Sequence, residues 1–277
     1  MEEIIGPFKL YKNKPCSMKY GNLYVTNLSF ETAIKEKTRN IRVWIPSNYD
    51  SSKQYPVIYM SDGQNIVDKY TTAYGDWKLD RVLHKIKKEV IIVGIDCPKD
   101  FLERHNELCP PFANDLVFPD EPVAEPCGDI YLNFLINTVK PLIEKYFSVA
   151  KDRKLTAIGG SSMGGIMAFY GASKYPNLFG FSLCFSPAFF LYNCHHLNEG
   201  LAKWKPNKKE SPRYYFYVGG QDLDKDLQKD TFRVFNYLKK RNFNQKEVAL
   251  VYDSNQKHNE EAWSKYVGDA ILWWLNN

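Results

Sequence analysis

Ala157-Ile158-Gly159-Gly160-Ser161-Ser162-Met163-Gly164-Gly165 is the stretch on which the reading of this chain turns. It holds the pattern Gly160-x-Ser162-x-Gly164. Residues 155–158 before it are apolar and read as a strand, and residues 166–174 after it read as a helix. A serine on a sharp strand-to-helix turn carries its Oγ above the sheet, and the flanking glycines let the backbone fold tightly around it. The next residue, Met163, then offers a backbone N–H at a helix N-terminus, where an oxyanion can be held. In that context the pattern points to Ser162 as the nucleophile of an esterase-like hydrolase. Ser161 fits less well, because Met163 rather than a glycine stands two residues beyond it.

Working outward, strands and helices alternate. Residues 23–30 and 40–45 read as an opening antiparallel pair. Short apolar strands are expected at 57–60, 90–95, 181–185, 214–218 and 248–252, and helices at 79–86, 130–146, 226–240 and 261–275. Pro141 predicts a kink within the second of these helices. Such alternation implies a largely parallel sheet covered on both faces by helices, an α/β chain of one domain over residues 1–277. Residues 98–127 break the rhythm: the segment is long, proline-rich and aperiodic, and leaves the C-terminal end of a strand, where open α/β sheets bind ligands. It is expected to form a wall of the substrate cleft.

The rest of a triad is sought by chain order. A serine hydroxyl needs a base to take its proton, and in this class of fold the order is Ser, acid, His. Of the five histidines, only His195, His196 and His258 follow Ser162, and only His258 lies just past the last strand. The acid belongs on the loop after the penultimate strand, which runs Val218-Gly219-Gly220-Gln221-Asp222. Asp222 is the first choice, Asp224 the next and Asp253 the third. The second oxyanion donor should come from Ser61-Asp62-Gly63-Gln64-Asn65, with the N–H of Gln64 favoured.

Composition excludes several other classes. The chain has 277 residues, 44% hydrophobic and 25% charged, with a net charge of +5 carried by dispersed lysines and arginines. That is an ordinary globular balance, and it argues against a nucleic-acid partner. No run is long and apolar enough for a membrane span, and the N-terminus lacks the basic and apolar regions of a signal peptide, so a cytoplasmic protein with reduced thiols is expected. Its six cysteines have no metal-type spacing, although Cys109 and Cys127 flank one loop and a disulfide there is conceivable. The adjacent His195 and His196 do not make a metal set. No metal and no organic cofactor are expected.

The residues also carry a family resemblance. The segment Tyr55-Pro56-Val57-Ile58-Tyr59-Met60-Ser61-Asp62-Gly63-Gln64-Asn65 resembles the strand and DGQN loop of the Putative esterase family of the α/β-hydrolase fold, which includes feruloyl and acetylxylan esterases, siderophore esterases and mycolyltransferases. Tyr74-Gly75-Asp76-Trp77, Gly94-Ile95-Asp96, residues 104–108, residues 159–165 and His258-Asn259-Glu260-Glu261-Ala262-Trp263 resemble further stretches of it. The resemblance implies a triad of Ser162, Asp222 and His258, with the N–H groups of Gln64 and Met163 as oxyanion hole. Asp62, Asn65, Trp77, Arg104 and Phe189 are the candidates to touch substrate. The implied activity is hydrolysis of a small-molecule or oligosaccharide ester, with feruloyl-like, acylated-sugar and siderophore esters all open. Acyl transfer through the same triad and a non-catalytic binding module are the alternatives. The chain departs from the family pattern before His258, where Asn255-Gln256-Lys257 stands in place of a glycine-rich turn.

Overall fold

A computed structural model describes residues 3–33, 35–72, 75–111, 126–192, 194–203, 211–241 and 243–276, without the side chains of 194–196 and 203. The strands are β1 (Ile4–Ile5), β2 (Phe8–Leu10), β3 (Asn22–Ser29), β4 (Thr38–Ile45), β5 (Val57–Ser61), β6 (Ile91–Ile95), β7 (Thr156–Ser161), β8 (Phe181–Phe185), β9 (Arg213–Gly219) and β10 (Val248–Asp253). The helices are α1 (Leu79–Ile86), α2 (Phe101–Glu107), α3 (Gly128–Phe134), α4 (Lys140–Tyr146), α5 (Met163–Lys174), α6 (Cys194–Lys203), α7 (Asp224–Lys240) and α8 (Glu260–Leu275).

Among the described residues, ten strands join one sheet in the order β1-β2-β3-β4-β6-β5-β7-β8-β9-β10. β1 to β4 run as antiparallel neighbours, and β4 pairs antiparallel with β6. From β6 to β10 every pairing is parallel. Leaving aside β1 and β2, this is the strand order of the α/β-hydrolase fold, a mostly parallel sheet with helices on both faces. β5 and β6 are buried along their whole length, which explains their unbroken apolar sequences. Alternate residues feed two cores. Val57 and Tyr59 of β5 pack with α3, α4 and α5, whereas Ile58 and Met60 pack with α1 and α8 on the other face. α5 lies under the sheet with almost every residue buried, as its apolar composition on all sides requires.

The order places the switch of direction at β5. The chain leaves β5 for β6 on one side and returns to β7 on the other, so the C-terminal ends of β5 and β7 lie side by side. Crevices at such a point bind ligands.

Three details differ from the sequence reading. The segment 98–127 is not wholly aperiodic: α2 lies within it, capped by Asp100, whose carboxylate accepts from Glu103 N at 2.9 Å. Residues 112–125, and with them nearly half of the proposed cleft wall, lie outside the described residues. The expected long helix around Pro141 is α3, a π-helical stretch Leu135–Val139 and α4; the wider turn ahead of the proline accommodates its ring and missing N–H. β1, β2 and α6 were not anticipated. Cys109 and Cys127 are not joined by a disulfide, and Cys109 Sγ lies 3.1 Å from the Tyr192 hydroxyl. Among the described residues no helix is long and apolar enough to cross a membrane.

Candidate active site

Among the described residues, four of the six non-glycine residues with positive φ sit at the C-terminal edge of the sheet: Asp62, Ser162 and Ser186 directly after β5, β7 and β8, and Asp222 just beyond β9. Each such conformation costs on the order of 1–3 kcal/mol and persists only where surrounding contacts impose it. Their clustering marks this edge.

Ser162 has φ 58° and ψ −119°. Its N–H donates to Phe185 O at 2.9 Å, and its carbonyl accepts from Ala188 N at 3.1 Å, so the end of β8 and the loop after it clamp the turn on both sides. Gly160 is required here, because a Cβ on it would stand 2.7 Å from the Gly164 carbonyl carbon. Met163 is the first residue of α5, and its N–H therefore has no partner within the helix. Gln64 is the middle residue of a 3₁₀ turn, Gly63–Asn65. Its side chain is anchored on Cys97: Oε1 accepts from Cys97 N and Nε2 points to Cys97 Sγ, both at 3.1 Å. The turn fits because Gly63 crosses β6 closely; a Cβ there would lie 2.5 Å from Gly94 C.

His258 lies in the turn between β10 and α8. Its Nδ1 is 2.6 Å from Asp224 Oδ1. An ionised carboxylate only accepts, so Nδ1 carries the proton and Nε2 presents a lone pair. Trp263 meets the imidazole edge-on, with ring centres 5.0 Å apart. Asp224 is fully buried. Its other oxygen accepts from Gly219 N at 2.6 Å and from the Ser186 hydroxyl at 2.8 Å. As the first residue of α7, it also meets the positive end of that helix.

The expected pairing of His258 with Asp222 is therefore not what the structure holds. The Asp222 side chain is 60% exposed and lies 3.4 Å from Lys257 Nζ. The reason is the turn after β9. Gly220 N and Gln221 N both donate to Gln256 O, at 3.1 and 2.9 Å, which lays the turn against the His258 loop and leaves Asp222 on its outside. The chain then doubles back, and the carboxylate beneath the strand end is that of Asp224. Asp253 is also excluded, since its oxygens take the Tyr266 hydroxyl and Asn255 N.

Ser162, Met163, Gln64 and His258 all line one cavity of about 540 Å³. Three of the five substrate-contact candidates line it too: Asp62, Asn65 and Arg104. Arg104 holds Asp62 through two hydrogen bonds, Nε to Oδ1 at 2.7 Å and Nη2 to Oδ2 at 2.8 Å. Burial opposes ionisation of Asp62, but the guanidinium's charge and hydrogen bonds outweigh it and hold the carboxyl below the usual carboxylate range. Asn65 Nδ2 donates to Glu260 Oε1 at 2.8 Å. Burial raises the Glu260 carboxyl above its ordinary value.

The other two candidates lie elsewhere. Trp77 is 2% exposed and packs between Phe185 and Trp263 on the α1/α8 face. Phe189 is buried against Phe169 and Phe216 beneath the opposite face. The apolar cavity wall comes instead from Phe101, Phe190, Leu191, Leu223 and Trp263. The run Phe189-Phe190 did signal an aromatic here, but which of the two faces the cavity is set by the 3₁₀ turn Phe189–Leu191. Glu260 was also passed over; its one signal was its place two residues after His258. Among the described residues no group of His, Cys, Asp and Glu could hold a metal ion.

Comparison with known proteins identifies the family and the fold. The family model described as Putative esterase matches residues 32–224, which takes in the elbow and Asp224 but stops short of His258. The uncharacterized protein YbbA of Bacillus subtilis (strain 168) is 23% identical over 250 residues, covering 86% of this chain and 93% of its own. Among solved structures, a ferulic acid esterase superposes with a TM-score of 0.66 at 17% identity, over 93% of this chain and 99% of its own. Siderophore hydrolase EstA from Aspergillus nidulans gives 0.68 at 16%, over 89% and 94%. These two share the fold. The family match spans well over half of the chain, so the protein belongs to the Putative esterase family and is an ester hydrolase.

Proposed function

We propose that the chain hydrolyses carboxylic esters through an acyl-enzyme on Ser162, with His258 as base and Asp224 as the acid that orients it. The observation that carries this reading is the His258–Asp224 hydrogen bond of 2.6 Å beside a strained Ser162 on the same cavity. Ser162 Oγ attacks the ester carbonyl carbon while His258 Nε2 takes its proton. The oxyanion is met by the N–H groups of Met163 and Gln64. When the tetrahedral intermediate collapses, the C–O bond to the alcohol breaks and His258 returns the proton to the departing oxygen. Water then repeats the sequence on the acyl-enzyme, releasing the carboxylic acid and restoring Ser162.

The substrate is a small-molecule ester with an apolar or aromatic acyl group. Phe101 and Leu223 support this: both line the cavity, yet remain 56% and 39% exposed, as apolar side chains at a mouth would. The ferulic acid esterase and the siderophore hydrolase named above also fit ester substrates of small-molecule size.

A fluorophosphonate probe and a panel of p-nitrophenyl esters test the reading. The probe should label Ser162, and Ser162→Ala should lower kcat by roughly 10³-fold or more, leaving only oxyanion-hole and binding effects. Ser161→Ala should do much less. Labelling at another residue, or near-normal turnover by Ser162→Ala, would remove Ser162 from the mechanism.

A further inference from the structure

A chain of buried hydrogen bonds continues behind the acid. Trp263 Nε1 donates to Ser186 Oγ at 2.9 Å, and the Ser186 hydroxyl donates to Asp224 Oδ2 at 2.8 Å. Asp224 then accepts from His258 through Oδ1. Ser186 is fully buried, and Trp263 is 3% exposed. A serine has one O–H to give. The indole N–H can only donate and the carboxylate can only accept, so the O–H is committed to Asp224. Ser186 is itself set in place with φ 42° and its N–H on Tyr217 O at 2.6 Å. Trp263 thus touches both partners of the acid–base pair, the imidazole by its ring and the carboxylate by way of Ser186.

We infer that Ser186 and Trp263 are positioning residues of the ester hydrolase, which hold one oxygen of Asp224 so that the other is reserved for His258. The inference rests on the triad proposed above. Without the Ser186 donor, negative charge on Asp224 is less dispersed, and the oxygen turned away from His258 is held by Gly219 N–H alone. Both changes act on His258. A more basic Asp224 favours the imidazolium, so the acidic limb of kcat/KM moves to higher pH. A carboxylate held by one donor fewer orients the ring less firmly, so kcat falls.

Other charges face the imidazole and must be held constant in the comparison. Glu260 lies two residues on, beside Asp62 and Arg104 across the cavity, and Lys257 pairs with Asp222 on the outside. None of these is altered by a change at Ser186 or in the indole N–H.

The experiment compares Ser186→Ala, Trp263→Phe and the double variant by kcat, KM and the pH profile of kcat/KM, with the fluorophosphonate labelling rate of Ser162 alongside. A hydrogen bond to a charged group predicts a loss of about 10–100-fold in kcat for Ser186→Ala, with KM little changed. Its acidic limb should shift upward. Trp263→Phe keeps an aromatic ring and removes the N–H. It should lower kcat less, and add little in the Ser186→Ala background, because its effect runs through that hydroxyl. Wild-type kcat and an unmoved acidic limb in Ser186→Ala would overturn the inference, as would fully additive effects in the double variant. If Ser186→Ala folds poorly, Trp263→Phe alone decides: an unmoved pH profile in a stable protein refutes the relay. Failure of the wild-type protein to label at Ser162 would instead count against the triad.

Discussion

Replacing Asp224 with asparagine separates the two carboxylates that the sequence left in competition. Three donors converge on Asp224: the His258 Nδ1–H, Gly219 N–H and the Ser186 hydroxyl. An asparagine offers one acceptor oxygen and one donor NH₂. If its oxygen faces His258, its NH₂ opposes Gly219 N–H, a fixed donor at 2.6 Å. If its oxygen faces Gly219 and Ser186, its NH₂ opposes Nδ1 and drives the imidazole proton to Nε2, removing the lone pair that should accept from Ser162. The second arrangement satisfies more donors, so the base is left in the wrong tautomer. The expected loss in kcat for Asp224→Asn is of order 10⁴, or about 5 kcal/mol. Asp222→Asn changes an exposed carboxylate whose pairing with Lys257 is worth about 1 kcal/mol at most, so turnover should stay within about twofold of wild type. The assay is hydrolysis of p-nitrophenyl butyrate near neutral pH, with circular dichroism to verify that both variants are folded. A folded Asp224→Asn enzyme within tenfold of wild type, or the opposite ranking of the two variants, would refute the assignment.

Arg104→Met should leave the Asp62 charge buried and unpaired, destabilising the fold by about 3–5 kcal/mol at neutral pH. In the wild-type protein the Asp62 carboxyl is depressed, so its contribution is present above the unfolded value near pH 4 and is lost only as pH falls below it. In the variant burial raises the carboxyl, so stability is lost as pH rises instead; the Tm deficit should grow as pH climbs above the ordinary carboxylate value, and a constant deficit would contradict this. Because the proposed acyl transfer draws on side chains and backbone alone, activity should survive exhaustive chelation; a loss restored by zinc or calcium would show that the serine mechanism is incomplete.

What the chain reveals unaided is whatever rests on local constraints. The conformation at Ser162 was readable because a glycine on either side, a strand before and a helix after all lie within twenty residues. The parallel strands were readable because burial on both faces leaves continuous apolar runs. His258 beside a buried carboxylate was readable from chain order. Which carboxylate was not: it depends on Gln256 O capturing the turn after β9, a contact between residues about thirty-five apart. Trp77 and Phe189 were misplaced for a similar reason, since which face an aromatic presents follows from the packing of α1, α8 and the 3₁₀ turn rather than from its neighbours in sequence. Helix α2 was missed because its seven residues carry too few apolar positions to show a period, and its stability comes from the Asp100 cap and from Arg104 and Glu107 pairing with Asp62 and Arg39. Hydrogen bonds and ion pairs of this reach have no signature in composition or spacing, so the carboxylate behind His258 and the walls of the cavity were decided only once the chain had closed on itself.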